Sequence, residues 1–297
     1  MAKKKSTAKK KPAAKKSRDP AKVRRATLIG AGVLAGAAVI AGGWVGLDRL
    51  DARAAEILTK AQDEVTIDWP AMEPGGATWM PASEQRRLHD LAVGAASGGS
   101  GLDVAPLREV GRALAQTGWF VGPPDVRREG DGTLAIGGTW RVPAAVVRVG
   151  KRERLIAWDG VPLPLEYEIG KSGVRYLINP TVATPPAPRT AIEHVPWPGQ
   201  DVAGGLALLD LLDDHPGVIA QVHGIDLTRG GGLEIITDEG TRVVWGAAPG
   251  VFRPGEQGTE SKLRRLIVLL EKTGRIDAGS KRAEIQGPNV LVQPRGG

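Results

Sequence analysis

Residues 27–47, TLIGAGVLAGAAVIAGGWVGL, run for 21 positions without a charged side chain. At ~1.5 Å rise per residue a helix of that length covers about 30 Å, the thickness of a bilayer hydrocarbon core. Two other readings compete. A buried core helix would show an amphipathic stripe and follow other core-forming segments, and neither is present. A cleavable signal peptide has an apolar stretch of ~7–15 residues and a small-residue cleavage site. Here the stretch is longer, and Arg53 breaks the Ala52/Ala54 pair. The pattern predicts one uncleaved transmembrane helix over 26–47.

Charge fixes its direction. The 297-residue chain sums to +7, but residues 1–25 alone carry twelve Lys/Arg against Asp19, a net +11. The remaining 28 bases and 32 acids leave the rest of the chain at −4. A basic flank before the span and a balanced one after it (Asp48, Arg49, Asp51, Arg53) place the N-terminus in the cytoplasm and residues 48–297 outside. The expectation is a single-pass type II protein of the cell inner (plasma) membrane. The basic arm can also lie against anionic membrane lipid, at about 1 kcal/mol per basic residue. A basic arm on an acidic body is not the domain-wide footprint of a nucleic-acid binder. Gly32 and Gly36, and Gly42 and Gly46, have the Gly-x-x-x-Gly spacing that lets two spans pack closely.

Beyond the span, residues 48–62 read as a helical juxtamembrane stalk, and 63–150 as one small module. EVTIDW (64–69) has strand alternation. Ser83 is positioned to cap a helix with Leu88 and Leu91 on one face, and Asp103 to start a second with Leu107, Val110 and Leu114, stopped at Gly118. DVRR (125–128), TLAI (133–136) and AAVVRV (144–149) are strand-like. The order β-α-α-β-β makes a compact α+β unit.

From 151 to 297 the signals favour a mainly antiparallel β domain with flanking helices. Asp159-Gly160 and Asp238-Glu239-Gly240 are hairpin turns between apolar runs. The Pro-rich stretch 179–200 reads as an extended surface loop, and Asp201 as the cap of a helix ending before His215-Pro216-Gly217. VIAQVHGIDL, GLEIIT and TRVVW follow as strands. Thr259 or Ser261 is positioned to cap a helix with Leu263, Leu266, Ile267 and Leu270 in one stripe, ended by Gly274. RAEIQ (282–286) and NVLVQ (289–293) close the chain as two strands.

Catalytic chemistry finds no constellation. Zero cysteines exclude a thiol nucleophile, an iron–sulfur centre, a disulfide scaffold and Cys-type zinc. The histidines (His89, His194, His215, His223) have no metal-ligand spacing. There is no Gly-x-Ser-x-Gly and no phosphate loop, Gly230-Gly231-Gly232 separates two strands, and Lys171-Ser172 and Ser261-Lys262 lack Ser-x-x-Lys spacing. The reading is non-enzymatic, with no cofactor, no metal and no small-molecule substrate.

LDVAPLREVGRALAQTGWF followed by DVRREGDGTLAIGGTWRVPAAVV resembles the POTRA module of the bacterial division proteins FtsQ and DivIB. Arg128, Leu134, Ile136, Arg141, Pro143 and Ala145 fall at that family's places, although Trp140 and Val142 stand where it has polar residues. RLIAWDGVPLPL is similar to the entry to its β domain, and GLEIITDEGTRVVWG and the Lys262–Leu270 helix match its later part. The resemblance implies a non-catalytic divisome scaffold, expected at the septum, that binds other division proteins. A coiled-coil partner of the FtsB/FtsL type would add a strand to its C-terminal edge, Asn289, Val290, Leu291, Val292 and Gln293, with Arg282 and Glu284 as rim charges. The alternative is a POTRA-bearing envelope transport or assembly component that binds extended polypeptides. Its outer-membrane form ends in a barrel, for which 151–297 has too few amphipathic strands.

Overall fold

The computed structural model describes residues 64–71, 76–97, 103–130, 132–186 and 194–294. They belong to one compact unit, Lys60–Gly297. The basic arm, the span with Gly32, Gly36, Gly42 and Gly46, and the stalk lie outside the described residues. Among those described, no helix is long and apolar enough to cross a membrane.

The chain is mixed α+β, with one large sheet and few helices. It opens with β1 (Val65–Ile67), α1 (Ala82–Ala96), α2 (Ala105–Ala115), β2 (Asp125–Arg128) and β3 (Leu134–Gly137). The three strands form one sheet in the order β1-β3-β2, with β3 parallel to β1 and antiparallel to β2. α1 buries Glu84, Leu88, Ala92 and Ala96 at strict i, i+4 spacing, and α2 buries Pro106, Val110 and Leu114 the same way. These stripes meet Leu134, Ile136 and the fully buried Trp119. Trp119 donates its indole N–H to Glu84 Oε1 at 2.6 Å, which accounts for an acid on a buried stripe.

A nine-stranded sheet follows: β4 (Pro143–Val149), β5 (Arg152–Ala157), β6 (Pro162–Glu168), β7 (Tyr176–Ile178), β8 (Val222–Thr228), β9 (Gly232–Thr237), β10 (Arg242–Ala247), β11 (Arg282–Glu284) and β12 (Leu291–Gln293). Its order is β12-β11-β10-β9-β8-β7-β4-β5-β6. Three of its eight pairings are parallel, β4–β7, β7–β8 and β10–β11, so the antiparallel content is lower than the hairpin signals imply. β4 pairs with β5 and β7, so the stretch 144–149, read as the end of the first module, builds the second sheet.

α3 (Gln200–Asp213), α4 (Pro216–Ile219) and α5 (Thr259–Thr273) share a core with this sheet. Leu208, Leu209, Leu212 and Leu266 pack with Val147, Ile225, Ile235 and Val243. Gly205 in α3 is a contact requirement. A Cβ there would sit 2.9 Å from Leu227 and 3.2 Å from Leu177, so glycine lets the helix lie directly on the strands. On the opposite face Val146, Leu155, Tyr176 and Ile236 belong to the same apolar cluster as Leu88 and Trp119.

Several local expectations shift. Ser83 lies inside α1, whose N-cap is Pro81. Asp201 and Thr259 lie inside α3 and α5, whose N-caps are Gly199 and Gly258 without side-chain bonds. Asp103 does accept the Ala105 N–H at 2.9 Å. Asp201 is instead diverted to the Thr181 N–H at 2.5 Å. The Pro-rich stretch is anchored rather than free. Trp197 is buried and donates to the Val182 carbonyl at 2.8 Å, and His194 Nε2 donates to the Ala115 carbonyl at 3.0 Å.

Candidate docking edge

β12 ends the large sheet. It pairs antiparallel with β11 in the register Arg282↔Gln293, Ala283↔Val292 and Glu284↔Leu291, and nothing pairs with its other side among the described residues. All three residues are exposed, with Leu291 at 59% and Val292 at 43%. Two apolar side chains left in water on a strand with a free ladder offer a surface for pairing, over the three residues that the strand spans.

Register assigns the faces. Val292 shares a face with Ala283 and Val243, the helix-covered side, whereas Leu291 and Gln293 share one with Glu284 and Arg282. Asn289 and Val290 precede the strand in the turn, and Val290 packs against the main core. Of the five residues singled out from the sequence, three therefore form the edge strand and two lie in the turn before it.

Arg282 and Glu284 are not free rim charges. Arg282 donates to Glu234 at 2.7 Å and to Glu284 at 3.3 Å. Arg242 binds both Asp226 and Glu234, and Asn179 donates to Asp226 at 2.7 Å. A polar ladder thus crosses β8 to β11 on the face opposite the helices and stops beside Leu291 and Gln293. Sequence reasoning missed it because its members on β8 to β11 are spread over nearly sixty residues; the alternation of Asp226, Glu234, Arg242 and Arg282 within otherwise apolar strands was the available signal.

The other end of the sheet is built differently. β6 contains Pro162 and Pro164, which supply no N–H, and Glu166 pairs with Arg154 at 2.6 Å. Prolines and charges are the usual means of blunting an edge.

A groove beside β4 and β7 (lined by Trp79, Trp158, Tyr176 and His223, among others) also holds Arg148 and Glu153. Glu153 is fully buried there. It accepts the Gly170 and Ser172 N–H groups and pairs with Arg148 at 2.8 Å, and Arg148 also stacks 3.4 Å over the Tyr176 ring. Burial pushes the Glu153 carboxyl up, but these donors outweigh it and hold the carboxyl below its usual range. That keeps it an ionised structural anion, the opposite of a general acid. Among the described residues no group of three or more His, Asp or Glu is arranged to hold a metal ion.

Two of the positions that carry the sequence resemblance, Arg141 and Asp159, meet at one joint. Arg141, 7% exposed, donates to the Gly118 carbonyl at 3.0 Å, to the Phe120 carbonyl, and through Nε to Asp159 at 2.7 Å. Asp159 in turn accepts the Val161 N–H, shaping the Asp159-Gly160 turn in which Gly160 takes a φ of +78°.

No protein-family model matches the chain. No curated protein sequence matches it. Among solved structures it is similar to the major extracytoplasmic domain of the cell division protein DivIB from Geobacillus stearothermophilus, in its trans isomer. The identity is 15% and the TM-score 0.27, over 37% of this chain and 81% of that one. At that score the likeness carries no argument about fold or partners.

Proposed function

We propose that this chain is a non-catalytic scaffold of bacterial cell division, anchored by one span with residues 48–297 outside the cytoplasm. Its sequence resemblance to the FtsQ and DivIB family and the β-α-α-β-β order of residues 65–137, a POTRA-like module, support the reading. The observation that carries the docking role is β12, a short open edge with exposed Leu291 and Val292 on a sheet whose opposite edge is blunted by Pro162 and Pro164. A coiled-coil partner of the FtsB/FtsL type adds an extended segment to this edge. Main-chain hydrogen bonds supply affinity, and Leu291 and Gln293 on one face with Val292 on the other supply selectivity.

The test uses the full membrane-anchored chain. Successive N–H groups of a strand point to opposite edges, so of Leu291→Pro and Val292→Pro one removes a donor from the free side. At least one of the two variants is expected to abolish capture of the FtsB/FtsL-type pair while still inserting in the membrane. Capture by both at the wild-type level rejects the edge assignment. A fluorescent fusion is expected to form a midcell band; a uniform membrane signal favours the transport-type reading instead.

A further inference from the structure

β12 has only three residues, all exposed and laddered on one side. Its own burial contributes little to holding it, so its position depends on the turn that delivers it. That turn, residues 285–290, contains Gly287 and Pro288. Pro288 has no N–H, and a tight turn leaves carbonyls without strand partners.

Those carbonyls converge on one side chain from α5. Arg265 donates through Nη1 to the Ile285 carbonyl at 2.8 Å and to that of Gly287, and through Nη2 to the Pro288 carbonyl at 2.7 Å. The helix that carries it is fixed to the core through the next residue, Leu266, which is fully buried. The donor is therefore rigidly mounted, and its planar fork spans three acceptors that a lysine ammonium cannot reach together.

We infer that Arg265 is the positioning residue of the docking edge. By holding three carbonyls of the turn it sets where β12 begins and so which face each side chain takes. A slip of one residue moves Leu291 and Gln293 from the polar-ladder face to the helix-covered face and sends Val292 the other way. It also spares the incoming strand the entropy of ordering a loose edge. The binding part of this inference rests on the docking reading above; the ordering of β12 does not.

The experiment takes the full chain in lipid nanodiscs, as wild type, Arg265→Ala and Arg265→Lys. Three quantities are measured: amide hydrogen exchange at residues 291–293, the thermal midpoint, and the dissociation constant for the FtsB/FtsL-type coiled-coil pair of the same cell. Arg265→Ala is expected to speed exchange in β12 by about tenfold or more and to weaken the pair by a similar factor, with the midpoint nearly unchanged. Arg265→Lys restores part of both. Wild-type exchange and affinity in Arg265→Ala overturn the inference, as does a loss of protection spread evenly over α5 and β8–β10. If the wild-type chain does not bind the pair, the docking reading fails, and exchange at 291–293 alone decides the role of Arg265.

Discussion

Arg141 Nε lies 2.7 Å from Asp159 Oδ2, and the same guanidinium holds the carbonyls of Gly118 and Phe120. One buried cation thus joins the turn that leaves α2 to the hairpin between β5 and β6. Arg141→Ala strips charge-assisted bonds from two buried carbonyls and one carboxylate. It is expected to cost about 2–4 kcal/mol in urea unfolding, and Asp159→Ala, at a half-exposed partner, about 1 kcal/mol or less. Equal effects of the two would mean that the carbonyl contacts contribute nothing.

Gly246 interrupts β10 at a bulge, with a φ of +87°. A Cβ there would collide with the Glu256 carboxylate and Gln286. Glu256 accepts the Ala247 N–H at 2.7 Å and pairs with buried Lys262 at 2.8 Å. Gly246→Ala is expected to lower stability by roughly 2–4 kcal/mol, from strain and from displacing that carboxylate. Calorimetry of this variant beside Gly250→Ala, whose Cβ meets nothing although its φ is also positive, separates collision from backbone strain.

Asp277 gives a pH signature. Burial pushes its carboxyl up, but Arg275, the Thr241 hydroxyl and the Gly279 N–H outweigh burial and hold it at about 2, against an ordinary 3.8. A depressed carboxyl stabilises the fold fully above its unfolded value, and that contribution disappears as pH falls through the folded value. Asp277→Asn is expected to cost about 2 kcal/mol near neutral pH, at 1.36 kcal/mol per pH unit of depression. The gap to wild type closes between about pH 4 and pH 2. A gap that stays constant over that range would assign the loss to packing instead.

The membrane reading has a direct check. A phosphatase fused after Gly297 is expected to be active, and a cytoplasm-dependent fluorescent protein at the same place dark, because the basic arm retains the N-terminus inside. The reverse pair of signals would overturn the topology.

Local chemistry was legible in the sequence and long-range pairing was not. The i, i+4 stripes of α1 and α2, the Asp159-Gly160 turn, and the stop of α5 at Gly274, with a φ of +75°, depend on neighbours a few residues away. β7 is three residues long and sits between parallel partners, so no turn or alternation announces it. The parallel pairing of β10 with β11 joins segments separated by α5, a relation that only the folded core selects. At the candidate site, the two strands joined through Gly287-Pro288 were readable from their local pattern. The satisfaction of Arg282 by Glu234 and the clamp from Arg265 were not, since both reach across tens of residues.

A sheet with one blunted end and one open end has a valence of one. Pro162 and Pro164 take two donors out of β6, so within this sheet the β12 side offers the less obstructed ladder. An array grown through the large sheet needs two open ends on every unit, and among the described residues that sheet offers one. On the docking reading, the large sheet would end such an array or join a single partner. On the docking reading, two copies meeting through β12 would exhaust both of these edges, so self-pairing and partner capture would compete for the same three residues.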